Sequence, residues 1–123
     1  MFVVPPAPAN EAERLAVLTS CGIMDTPGDE RFDRSTRLAS RIYGADAAFL
    51  SFIDDRYQWI KSLVGEGIPS SIERDRSVCQ MMIASGDPLV VSDMRNEPKL
   101  NGHPVIPLQV CVSVASTMAV DRF

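Results

Sequence analysis

Residues 47–53, Ala47-Ala48-Phe49-Leu50-Ser51-Phe52-Ile53, form a nearly continuous apolar run of strand length, rich in residues that favour extended backbone. Asp54-Asp55-Arg56 is turn material, and Tyr57-Gln58-Trp59-Ile60-Lys61-Ser62-Leu63-Val64 returns as an aromatic and β-branched stretch. The two runs predict an antiparallel hairpin. Its first strand is apolar on both faces, which places it inside a covered sheet. The second alternates more and is expected at an edge. A chain built on such a hairpin needs helices or further strands to bury it.

The helices are readable on either side. Residues 1–9 are rich in proline and alanine and read as a flexible arm, with the folded domain expected over 10–123. Asn10 with Glu13 makes a capping-box pattern, Leu15 and Leu18 give the first helix an apolar edge, and Gly22 stops it. After a linker at 23–28, Asp29 and Glu30 open a second helix with negative charge in its first turn. Phe32, Ser35, Leu38, Ala39 and Ile42 share one arc, which is the expected buried face. Arg34, Arg37 and Arg41 lie opposite, with Glu30–Arg34 and Asp33–Arg37 as expected pairs, and Gly44 ends the helix.

Residues 65–76 read as a polar loop. Ser77 with Gln80 repeats the capping-box logic for a short helix with an apolar side of Val78, Met81 and Met82, ended by Gly86-Asp87-Pro88. A buried strand is expected at 89–91, turns at 92–97 and 101–104, and a strand within 108–120. Two adjacent strands and a later group, with helices before and between, predict an α+β antiparallel sheet rather than βαβ units.

The 123 residues, 46% hydrophobic and 23% charged, suit one globular domain. A net charge of −4 argues against nucleic acid or anionic lipid as a partner. No run approaches the roughly 20 apolar residues of a membrane span. Met1-Phe2-Val3-Val4-Pro5-Pro6 lacks the basic start of a signal peptide. Cys21, Cys79 and Cys111 are odd in number and far apart, and read as reduced thiols of a cytoplasmic protein.

Several stretches together resemble the GAF domains that stand before diguanylate cyclases and sensor histidine kinases. Arg14-Leu15 through Gly22-Ile23-Met24-Asp25-Thr26-Pro27 and then Phe32-Asp33 is similar to that family's entry. Phe49-Leu50-Ser51-Phe52-Ile53-Asp54 with Gln58-Trp59-Ile60-Lys61-Ser62 is similar to its first hairpin. Glu73-Arg74-Asp75-Arg76-Ser77-Val78-Cys79 with Met82-Ile83 resembles its next helix, and Asp87-Pro88-Leu89-Val90-Val91-Ser92-Asp93 the strand and acidic turn after it. The resemblance covers about residues 12–106. It implies a GAF-like antiparallel sheet with helices packed on it, and a non-catalytic sensory or regulatory domain in signal transduction. Such domains bind a small molecule or a partner protein in a pocket between the sheet and the helices and loops on one face, and a homodimer or a signalling protein is the expected partner. Residues 107–123 diverge from the family pattern, and two further strands and a closing helix are missing, so the resemblance implies a truncated domain. The first hairpin and the later strands are then expected to lose their shared ladder.

The resemblance and the residue chemistry give a candidate ligand pocket of Phe52, Trp59, Arg74, Asp75, Cys79 and Asp93. Trp59, with Tyr57, is suited equally to stacking on a ligand and to covering the sheet. Arg74 and Asp75 are suited to an anionic ligand, though a local salt bridge is favoured. Cys79 stands near a helix start, where a dipole lowers a thiol pKa; a small buried residue beside Val78 and Met82 is the favoured reading. A bilin-attaching cysteine would stand beside a histidine, and Gln80 is there instead. His103 is the one histidine and reads as a solvated turn residue. Asp54-Asp55 is a hairpin turn before it is a cation site, and Gly65 and Gly67 lack the lysine of a phosphate loop. No catalytic residue or metal site is assigned, and no cofactor is named. The alternatives are a remnant or interaction fragment without ligand binding, and a cysteine-based redox enzyme of the GAF type acting through Cys79.

Overall fold

A computed structural model describes residues 4–87, 89–91, 96, 98 and 114–116. The element order is α1 (Glu11–Cys21), α2 (Glu30–Tyr43), β1 (Ala48–Ile53), β2 (Tyr57–Val64), β3 (Ser71–Glu73), a 3-10 turn (Arg74–Arg76), α3 (Gln80–Ser85), β4 (Leu89–Val91) and β5 (Val114–Ser116). The class is α+β. The chain divides into two compact units, 15–74 and 1–14 together with 75–123.

In the unit 15–74, β1, β2 and β3 form an antiparallel sheet in that order, and α2 packs on β1 and β2. Asp29 caps α2 with its side chain, accepting from the Arg31 amide at 2.9 Å, and Gly44 closes it in the left-handed conformation. The hairpin turn is an Asx turn: Asp54 Oδ1 accepts from the amides of Arg56 and Tyr57, each at 2.7 Å. Gly65 ends β2 at φ 109°, where a Cβ would stand 2.8 Å from the Ala47 side chain and the Asp46 carbonyl. Only glycine fits that approach.

The expected strand places are reversed within this sheet. β2 is central, flanked by β1 and by β3, which occupies part of the stretch read as a loop. Its partners are Tyr57↔Glu73, Gln58↔Ile72 and Trp59↔Ser71. Three residues are too few for a periodic signal, which is why the loop concealed them.

The register of β1 on β2 slips by one residue. Leu50 pairs with Ser62 and Ser51 with Ile60, leaving Lys61 as the extra residue of a β-bulge. The bulge sends the consecutive side chains of Lys61 and Ser62 to the same face, the one covered by α2, and Ile60, Lys61 and Ser62 are all buried.

That face also corrects the buried arc of α2. Thr36 is its buried residue, with Phe32, Asp33, Ala39 and Ser40 half-buried, whereas Leu38 and Ile42 are 58% and 67% exposed. Phe32 meets the Phe52 ring edge-on at 6.2 Å. The buried Ser62 hydroxyl donates to Asp33 Oδ1 at 2.6 Å and receives Thr36 Oγ1 at 2.7 Å. A buried hydroxyl demands such partners, and they lie one arc round from the leucine–isoleucine stripe. The expected pairs of Glu30 with Arg34 and Asp33 with Arg37 do not form: Glu30 reaches two turns on to Arg37, and Asp33 serves Ser62.

In the other unit, α3 starts at Gln80, later than the Ser77 cap expected, with Cys79 at the N-cap in helical conformation and without a side-chain capping bond. Met82 and Gln80 are its buried residues. Arg14 is buried and grips Glu11 with two hydrogen bonds at 3.0 and 2.9 Å. β4 and β5 pair antiparallel as a two-stranded sheet, with Leu89↔Ser116, Val90↔Ala115 and Val91↔Val114. The turns expected at 101–104, most of that at 92–97, and His103 and Cys111 lie outside the described residues.

Thr36→Val removes the hydroxyl that contacts Ser62 while keeping the shape. Chemical denaturation is expected to show a loss of about 1–3 kcal/mol, with an unchanged dependence on denaturant.

Candidate functional site

The bulge at Lys61 also builds the best-defined polar site. Its Nζ donates to Thr26 Oγ1 at 2.7 Å and to the Pro27 carbonyl at 2.5 Å, and lies 5.6 Å from the centre of the Phe32 ring. Thr26 in turn donates its hydroxyl to the Ile23 carbonyl at 2.5 Å, which leaves its lone pairs for the ammonium. A charged group on the central strand is thereby tied to the linker between α1 and α2. Lys61 is only 8% exposed, and among the described residues no carboxylate makes an ion pair with it.

An open cleft of about 440 Å³ runs along this linker, lined by Cys21, Ile23, Thr26, Asp29, Arg31 and Lys61 among others. Arg31 grips Asp29 through Nη2 at 2.7 Å and Nε at 3.1 Å. Hydrogen bonding from the Arg31 guanidinium, then from its amide, holds the Asp29 carboxyl well below its usual 3.8, at about 2, and the charges of Arg31 and Lys61 act in the same direction.

Five of the six residues of the sequence-derived pocket are described, and they fall in three places. Phe52 and Trp59 are cross-strand partners, both half-buried on the face toward α2. The Trp59 indole N–H is buried without a hydrogen-bond partner among the described residues. Arg74, in the 3-10 turn after β3, donates Nη1 to the Asp54 carbonyl at 3.1 Å and its amide to the Arg56 carbonyl at 2.8 Å, bracing the hairpin turn. Exposed Asp75 and half-buried Cys79 belong to the other unit. Asp93 lies outside the described residues.

Lys61, Thr26 and Asp29 were not singled out as site residues by sequence reasoning. The available signal was the spacing of β2: Ile60 and Leu63 share a sheet face three residues apart, which strict alternation forbids and a bulge explains. Among the described residues there is no cluster of three metal-ligating side chains and no helix long and apolar enough to cross a membrane.

No family model matches the chain. Among curated proteins it is similar to cyclic di-GMP phosphodiesterase PA2567 of Pseudomonas aeruginosa, 26% identical over 105 residues, which are 85% of this chain and 18% of that protein. The chain therefore spans less than a fifth of that relative's length. Among solved structures it is similar to the A. aeolicus nlh2 GAF domain in an inactive state, with 16% identity and a TM-score of 0.49, covering 80% of this chain and 60% of that one.

Because the folded-state value of Asp29 lies below 3.8, its interactions stabilise the fold fully above that pH and are lost as pH falls toward 2. Carboxyl-carbon NMR should find the Asp29 midpoint near 2 in the native chain and back toward 3.8 in Arg31→Ala; equal midpoints in the two proteins would show that Arg31 is not the cause.

Proposed function

We propose that this chain is a GAF-type sensory or regulatory domain of a cytoplasmic signalling protein, without catalysis of its own, that responds to a small molecule or a partner protein. The observation that carries this reading is the order of the motif stretches from Arg14 to Asp93, which the resemblance finds in series along one chain. An α+β arrangement with helices on an antiparallel sheet agrees with it. Similarity to less than a fifth of a cyclic di-GMP phosphodiesterase is the proportion expected of an accessory domain in a larger signalling enzyme. Within the unit 15–74, Phe52, Trp59 and Arg74 are the proposed ligand residues; Asp75, Cys79 and Asp93 are proposed on the sequence resemblance alone. Binding there acts by shifting the populations of the domain or its assembly.

Thermal unfolding of the purified chain against a panel of nucleotides, cyclic di-GMP and small metabolites tests this, with size-exclusion chromatography and a phosphodiesterase assay alongside. At least one compound should raise Tm saturably, an effect reduced in Trp59→Ala, with no hydrolysis of cyclic di-GMP. Turnover by the chain, or an absence of both ligand stabilisation and a defined oligomer, would contradict the proposal.

A further inference from the structure

The cleft beside Lys61 shares no residue with the pocket proposed above, and its chemistry is specific. An ammonium has three N–H donors. Two go to Thr26 and Pro27, and among the described residues the third has no protein acceptor. Both acceptors are neutral, and the Phe32 ring attracts the cation without cancelling its charge. A cation so withdrawn from water is costly unless an opposite charge stands near it. The carboxylate lining the same cleft, Asp29, is already held by the Arg31 guanidinium. The charged side chains of the cleft are therefore two cations and one carboxylate, a local positive excess in a chain of net charge −4.

We propose that this cleft is an oxyanion site, in which Lys61 receives the carboxylate or phosphate group of a small molecule on its free N–H. Arg31 at the rim supplies the second positive charge. Its side chain is 83% exposed, which leaves it accessible from solvent while it holds Asp29. Phe32 and Ile23 offer apolar surface to the rest of the ligand, and the volume of about 440 Å³ admits a metabolite-sized molecule. The oxyanion makes a charge-assisted bond to the ammonium of a lysine that is only 8% exposed. Thr26 keeps the ammonium in position, because its own proton is committed to the Ile23 carbonyl.

The test uses the full chain, isotopically labelled, titrated in separate NMR series with inorganic phosphate and with acetate, chloride being exchanged to hold ionic strength constant. Saturable shifts are expected at the amides of residues 21–31 and 61 with at least one of the two anions. Lys61→Gln should weaken that binding about tenfold or more. Arg31→Ala, at an exposed position, should also weaken it, and decides the matter if Lys61→Gln does not fold. Shifts that fail to saturate, that are equally large at the exposed Arg34, Arg37 and Arg41, or that persist with unchanged affinity in Arg31→Ala and Lys61→Gln would overturn the site. A compound from the thermal panel that stabilises the chain without moving the Lys61 signals would leave the sensory reading in place while this site fails.

Discussion

A single buried ammonium ties the strand that carries it to a linker 34 residues earlier. Lys61, the extra residue of a one-residue bulge, lies on the face toward α2 and is bonded there to Thr26 and to the carbonyl of Pro27. An ammonium only donates, so the linker meets the lysine through oxygen atoms, the Thr26 hydroxyl and the Pro27 carbonyl. The linker then delivers Asp29 to the start of α2, where it caps the helix and holds Arg31. Bulge, linker and cap thus follow one another, the first two joined by hydrogen bonds and the last by the chain itself.

The bulge has a second consequence. By turning Ser62 to the same face as Lys61, it puts a hydroxyl beneath α2 where an alternating strand would place an apolar residue. The helix answers with Thr36 and Asp33, and the close fit of hydroxyl on hydroxyl suits the short side chains along its inner arc. Phe32 and Phe52 supply the aromatic part of the contact. Leu38 and Ile42, which would dominate an ordinary helix–sheet interface, are left facing outward.

These particulars explain what was legible in the sequence. Both long helices and the two hairpin strands could be read closely, because caps, glycine stops and apolar runs act locally: Asp29 and Gly44 bracket α2 as expected, and β2 spans Tyr57–Val64. The buried arc of α2 was not legible, since hydropathy points to Leu38 and Ile42 whereas the packing is decided by a serine on another element. β3 was hidden because its three residues pair only through the register of β2. In the candidate pocket, the cross-strand pairing of Phe52 with Trp59 follows from the hairpin. Lys61 was passed over because a lysine in a strand expected at a sheet edge usually points to water, whereas here it lies on the face toward α2, two residues beyond Trp59.

Amide hydrogen exchange in Lys61→Met tests the central role of this ammonium most directly, since methionine keeps an unbranched apolar side chain and removes the charged donor. The account predicts faster exchange at Phe32 and Asp33, whose amides donate to the Asp29 carbonyl, and through the linker 23–29, with the β1–β2 ladder still protected. Unchanged exchange across the linker and the first turn of α2, in a folded variant, would contradict it.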